Sequence, residues 1–300
     1  MASSWKPNPH SLHSRAELRE RGVHQRRLAS DEFLNVLPGY CTPSAAPASL
    51  AVIVRTLQRR LLPGAVISDV TAAELLGYPL PPSLTYASTG VLHCTVPPQS
   101  RRRCGPTVRV HRRAPRRTRS WRGLQLSEDL SLLCELAGDL SHEQLVACCD
   151  HAVGPRAERP RVNLEELRRR AATDSGLHGI KSARLALADA RERVESPRET
   201  ALRLLLLDRG FAEPIVNLPV QAPGTGKSFR IDLAYPSQRI AIEYDGDWHR
   251  TDRSRFRRDR RKDDVLHELG WRVVRVVDSD LLSPSAFLGR LEHLGAPRLR

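Results

Sequence analysis

Aromatic side chains make up only 5% of this chain, and methionine occurs once. Packed cores must therefore come mainly from leucine, valine and alanine, and the 40% hydrophobic content is enough for them. Cysteine is limited to Cys41, Cys94, Cys104, Cys134, Cys148 and Cys149. No CxxC pair and no second cluster occur, which argues against a cysteine-based zinc module. The adjacent Cys148 and Cys149 cannot readily bridge to each other, so the reading is reduced, buried thiols in a cytoplasmic protein. Long apolar runs are missing too. ALRLLLL (201–207) is far too short to span a bilayer, and MASSWKPNPHSLHSR at the start has no apolar centre. Neither a membrane partner nor a signal peptide is expected.

Negative charge is also in deficit. Against 34 acidic residues stand 48 basic ones, mostly arginine, for a net charge of +14. A surplus of this size suits a polyanion, and DNA is the partner it suggests. Part of it is general, since arginine stands for lysine along the whole chain, as in proteins of high-GC genomes. The stretch RRRCGPTVRVHRRAPRRTRSWR (101–122) is different, with ten arginines and no acid. Its centre alternates, placing Val108 and Val110 inward and Arg109 and His111 outward. Arg109, Arg112, Arg113, Arg116 and Arg117 are the phosphate-binding candidates here, because the guanidinium fork matches phosphate oxygens.

With 300 residues, two domains are expected. Residues 1–20 read as a flexible N-terminus. Residues 21–185 read as a mostly helical α+β, DNA-binding domain. AELRERG (16–22), at its border, and FLNVLPGYCTP within it suggest short helices, and a helix follows over ASLAVIVRTLQRRLLPG. Ser68 or Asp69 caps another in SDVTAAELLGYPLP. VLHCTVP and PTVRVHRR then alternate as strands of a small antiparallel sheet. Residues 186–300 give the order α-β-β-β-α-β-α, an α/β three-layer domain. PGTGKS (223–228) resembles the end of a phosphate-binding loop, but Gln221 stands where that pattern needs glycine and a strand follows instead of a helix. Nucleotide hydrolysis is therefore set aside.

The chemistry concentrates in RIDLAYPSQRIAIEYDGDWHR (230–250). A hairpin turning over Pro236–Arg239 pairs Tyr235 with Ile240 and puts Asp232 opposite Glu243. Ile231, Leu233, Ile240 and Ile242 then face the core, and Asp245 points the way Glu243 does. Three converging acids repel one another unless a cation, a proton or arginines intervene. Oxygen ligands of this kind suit Mg²⁺ or Mn²⁺, which can activate water against a phosphoryl group; the plainer reading is a solvated sheet edge. Glu199 is either the N3 partner of an N-cap at Ser196 or a further ligand of the same metal. His249, next to Trp248, is a candidate general acid or base. Downstream, Arg255, Arg258, Arg261 and Lys262 on RFRRDRRKDDVLHELG form either an ordinary charged helix face or a phosphate-gripping one.

SPRET, RIDLAYP, IAIEYDGDWH and FRRDRRKDDVLHELGWRVVRV together resemble the DUF559 group, related to very-short-patch repair endonucleases and the PD-(D/E)XK nuclease superfamily. The resemblance covers roughly 195 to 280. It implies a restriction-endonuclease-like core with Asp232 and Glu243 as the metal-binding acids and Glu199 as the helix glutamate. Asp245 stands where many members carry a catalytic lysine, so cleavage assisted by His249, weak cleavage and binding alone are all compatible with it. The first region resembles the N-terminal part of large actinobacterial proteins of this group, some of them AbiEi-like antitoxins of type IV toxin–antitoxin systems. Two functions follow as expectations: a Mg²⁺-dependent endonuclease, or a non-catalytic DNA-binding regulator or antitoxin with an operon-encoded protein partner. A fold kept only for protein contacts is the third. Oligomeric state is left open.

Overall fold

The computed structural model describes residues 8–114, 117–157, 162–223, 228–246 and 253–299, with backbone alone for 253–259. The chain divides into two compact units that interleave in sequence. One comprises Met1–Asp139 with Arg170–Ala183, the other Leu140–Arg169 with Arg184–Arg300. The chain passes into the second unit for the last time after Ala183. The return of residues 140–169 to the second unit has no signal in composition.

The first unit is a mixture of helices and two sheets. Its N-terminal segment is more ordered than the sequence suggests. His13–Ser14 pairs with Tyr40–Pro43, which pairs with Phe33–Leu37, and Arg15–Glu20 is helical. FLNVLPGYCTP is thus a β-hairpin and not the short helix expected. Proline fixes the backbone at position 38 and Gly39 takes φ 77°, which is the turn chemistry that folds two strands back on each other. Leu18, Val23, Leu28, Phe33 and Cys41 bury against one another around this hairpin.

The second sheet has five strands: β1 (Val66–Ile67), β2 (Leu92–Val96), β3 (Val108–Arg112), β4 (Thr118–Trp121) and β5 (Leu124–Ser127). Their order is β3-β2-β1-β5-β4. β2 and β3 run parallel, with His93 level with Arg109 and Thr95 level with His111. This corrects the small antiparallel sheet expected for these strands. The link between them spans residues 97–107, long enough to carry the chain back to the same end, whereas antiparallel neighbours need only a tight turn. The β4–β5 hairpin turns on Arg122 at φ 47° and Gly123 at φ 76°, the left-handed pair that two-residue hairpins favour. Helices α1 (Asp69–Leu75) and α2 (Asp129–Leu136) belong to the same unit.

In the second unit, α3 (His142–Val153) precedes α4 (Pro197–Asp208), and then come β6 (Ile215–Gln221), β7 (Ser228–Tyr235), β8 (Ile240–Tyr244), α5 (Arg253–Glu268), β9 (Arg272–Val276) and α6 (Ser285–His293). The sheet order is β9-β8-β7-β6. β6, β7 and β8 are an antiparallel meander. β9 lies parallel to β8, because α5 carries the chain back between them. One sheet face presents Leu233, Tyr235, Ile240 and Ile242 to Leu202 and Leu206 of α4 and Phe287 and Leu291 of α6. The other presents Ala234 and Ala241 to Leu266 of α5. Each fully buried leucine contributes roughly 2 kcal/mol.

Ile231 is a correction. Alternation puts it with Leu233, yet it packs in the Ala234–Ala241–Leu266 cluster. The ladder passes from Ile231↔Leu218 to Leu233↔Val216 across Asn217, whose φ is 47°. A left-handed residue in the neighbouring strand breaks the regular pleat there. All six cysteines are free and buried. Among the described residues no helix is long and apolar enough to cross a membrane.

Candidate metal and phosphodiester site

Asp232 is brought to Glu243 by the hairpin. The turn is a single 3-10 turn over Pro236–Gln238, closed by Arg239 at φ 49°. It sets Tyr235↔Ile240 and Leu233↔Ile242, where the paired ladder ends, and Asp232 follows next to Leu233, close enough to Glu243 for the two charges to interact. Asp232 is half-buried, and its Oδ2 accepts the Tyr244 N–H at 2.9 Å. Glu243 is buried at the α5 side of the sheet, where Lys262 Nζ donates to its Oε2 in an ion pair. Its other oxygen, Oε1, is buried with no hydrogen-bond partner.

An orphaned carboxylate oxygen is costly in a protein interior, by roughly 1–3 kcal/mol. The electrostatics register this. Burial first, then the neighbouring Asp232, push the Glu243 carboxyl up to about 7, although Lys262 pulls the other way. Asp232 is also raised, by burial, against the opposing charge of Lys262 and the Tyr244 N–H. Two adjacent acids that both resist ionisation mark a place where a further positive charge would be accommodated.

The other expected members lie elsewhere. Glu199 is buried at the start of α4. Its Oε1 accepts from Ser196 Oγ at 2.8 Å, and its Oε2 accepts from the Glu195 N–H at 3.0 Å and Asn217 Nδ2 at 2.6 Å. Ser196 Oγ in turn accepts the Glu199 N–H at 3.2 Å. Both oxygens are thus engaged in holding the helix start and β6, although Asp232 is near enough to help burial raise the Glu199 carboxyl. Asp245 departs from the expected convergence. It is more exposed and pairs at 3.4 Å with Arg275, which also pairs with Asp263. The Asp245 N–H still donates to the Val276 carbonyl at 2.8 Å, so the chain continues along β9 and the Asp245 carboxylate meets the arginine of that strand. Asp232, Glu243, Glu199 and Asp245 do not form a group with all donor oxygens within 4.8 Å of one another.

His249 and Trp248 lie outside the described residues, as does Arg116. Arg255 and Arg258 fall on the α5 backbone, but their side chains are outside the description. Arg261 is exposed on the same helix. Lys262, read in the sequence as a phosphate contact, is seated on Glu243. Nothing in the sequence marks it for that place except its spacing on a helix that returns over the sheet.

In the first unit the arginines also separate. Arg109 and Arg117 are exposed. Arg112 donates to its own loop, at the Ser100 and Arg102 carbonyls. Arg113 turns inward to Asp69 at 2.6 Å and Glu135 at 3.1 Å. His111, expected to point outward, is half-buried against His93 and Asp69, because that sheet face is covered by the residues of α1 rather than by solvent.

Two proteins of Mycobacterium tuberculosis are similar to this chain over 202 residues at 31% identity: uncharacterized protein Rv2248 of strain ATCC 25618 / H37Rv and uncharacterized protein MT2308 of strain CDC 1551 / Oshkosh. The match covers 66% of this chain and 72% of each relative. No family model and no solved structure matches the chain.

Proposed function

The chain belongs to one family with these two mycobacterial proteins; that membership names no activity, and from the geometry of the site we propose a DNA-binding protein whose second unit is a metal-dependent endonuclease. One observation carries the proposal: a buried Glu243 beside the half-buried Asp232, with an unpartnered Glu243 oxygen and a lysine at its side. Asp232 and Glu243 would hold Mg²⁺ or Mn²⁺, hard cations that take carboxylate oxygens. When bound, such an ion supplies positive charge for a phosphoryl oxygen and makes coordinated water more acidic.

The chain's own groups supply the rest. Lys262 Nζ holds a proton beside Glu243, and its ammonium is placed to donate to a phosphate oxygen. In this reading it takes the part of the lysine missing at position 245. Glu199 positions: it ties the start of α4 to Asn217 of β6. Arg261, with Arg255 and Arg258 on the same helix, grips the backbone of the substrate, while Arg109, Arg112 and Arg117 extend contact with DNA from the first unit. The order helix, three antiparallel strands, helix, parallel strand supports the restriction-endonuclease-like layering. A non-catalytic regulator or antitoxin is the second reading, favoured by the Lys262–Glu243 ion pair, which offsets the charge of one acid with no need of a metal ion.

Purified protein incubated with supercoiled, linear, mismatched and single-stranded DNA under Mg²⁺ or Mn²⁺ titration separates the two. The proposal expects metal-dependent cutting that Asp232→Ala and Glu243→Ala both abolish. Salt-sensitive DNA binding without cutting on every substrate leaves the regulator.

A further inference from the structure

The first unit holds a second cluster, unrelated to the carboxylate pair. Asp69, at the start of α1, His93 of β2 and His111 of β3 each offer one ligand atom, and these atoms all lie within 4.8 Å of one another. His93 Nδ1 and His111 Nε2 are 3.2 Å apart, and His111 Nε2 is 3.5 Å from Asp69 Oδ2. Ligand atoms held about 2.0–2.1 Å from a tetrahedral zinc ion are separated by about 3.3 Å. We propose that Asp69, His93 and His111 bind one divalent transition-metal ion of the zinc class, with a fourth coordination position left open.

Register brings the imidazoles together. In a parallel pair, Thr95 lies level with His111, so His93 is two residues back on the same face. Two ring nitrogens facing each other at 3.2 Å share a single proton, whereas a cation between them uses both lone pairs. Two imidazoles and one carboxylate select Zn²⁺, Co²⁺ or Ni²⁺ over Mg²⁺.

The surroundings are built as the outer shell of such a site is built. Arg113 donates to Asp69 Oδ2 at 2.6 Å, and the Asp69 N–H is accepted by Glu135 Oε2 at 3.0 Å. Glu135 Oε1 accepts Ser127 Oγ at 3.0 Å. These bonds fix the ligating carboxylate in place. They also hold Asp69 at φ 51°, a conformation that aspartate adopts at some cost. The charge of Arg113 opposes a dication, but it is shared between two acids, Asp69 and Glu135. Asp69 and His93 are buried, and the His111 side chain, 25% exposed, gives the way in.

The test uses the full chain, stripped of metal by a chelator and titrated with Co²⁺ and then Zn²⁺. One equivalent is expected with the intense visible absorption of four-coordinate cobalt and no thiolate charge-transfer band, distinct from a weakly absorbing ion on the carboxylate pair. His93→Ala and His111→Gln should each weaken binding at least 100-fold, and His142→Gln, at an exposed histidine outside the cluster, should leave it unchanged. In the unsubstituted chain, diamagnetic Zn²⁺ should move the ring resonances of two histidines only, a readout that needs no variant to fold. Absence of binding at stoichiometric Zn²⁺, a cysteine signature in the cobalt spectrum, or affinity indifferent to both histidine substitutions would overturn the proposal.

Discussion

The two acid clusters sit in similar places, each on a sheet face beneath a helix, and differ in what surrounds the carboxylate. In the first unit Asp69 meets two imidazoles and a guanidinium, and Glu135 receives three donors. In the second, Glu243 meets another acid, that residue's backbone N–H and one ammonium, and one of its oxygens, Oε1, receives nothing. Burial alone does not distinguish a site from a structural polar network. The identity of the neighbours and the bonds left unmade do. A nitrogen-rich cluster points to a borderline metal, an oxygen-rich cluster with an orphan atom to a hard one.

The strongest way to break that contrast is Lys262→Ala. Metal-dependent cleavage should fall about 100- to 10,000-fold, measured as the plasmid-nicking rate at saturating Mn²⁺. A cleavage rate within threefold of the parent would show that the ammonium serves only the fold. Next comes a third buried charge, the Arg203–Asp150 pair that joins α4 to α3, with side chains 0% and 1% exposed. Here no metal is in question, and Arg203→Leu should cost roughly 3–5 kcal/mol in urea denaturation by leaving Asp150 without its partner. The double change with Asp150→Leu should recover much of that loss; an equal or greater loss would mean that the arginine stem, not its charge, is what matters.

A pH profile sharpens the comparison further. Burial, ahead of the like charge of Asp69, pushes the Glu135 carboxyl up to about 7 from 4.5, against Arg113 and its hydrogen bonds. A raised carboxyl stabilises the fold most when protonated. Stability from Glu135 is therefore full below about pH 4.5 and lost as pH rises through about 7, roughly 3 kcal/mol in all. His93, which burial lowers to about 4, contributes in the opposite sense: its share is present above 6.5 and lost as pH falls toward 4. Glu135→Gln should flatten the upper limb of the thermal-melting profile and leave the acid limb intact. An unchanged upper limb would place that titration on another group. The smallest effect is expected from Arg109→Ala, which should lower the salt-dependence slope of DNA binding by about one. No change in slope would take that exposed arginine out of the interface.

Much of the second unit was legible in the sequence, for a local reason. A short polar turn, PSQR, flanked by strands of fixed period sets the register from Tyr235↔Ile240 to Leu233↔Ile242, and that brings Asp232 close to Glu243. The first unit was less legible. TRSWRGLQLS is a hairpin, but its arginines hide the strand alternation, and only the Arg122–Gly123 turn announces it. His111 was misplaced because alternation tells which residues share a face, not what covers that face. Lys262 illustrates the same limit. It is one of four lysines in the chain, 19 positions beyond Glu243, and a helix with a thin apolar line does not show in sequence which side it will lay on a sheet.

The interleaving of the two units bears on how the chain can be made and cut. During synthesis α3 emerges before residues 170–183, so the second unit's first helix must wait for most of its own sheet while the first unit awaits its last segment. A fragment starting at 186 would lack α3 and leave Arg203 beside an absent Asp150. Such a fragment should be recovered insoluble, whereas one beginning at 140 retains the partner helix and is the better candidate for independent expression.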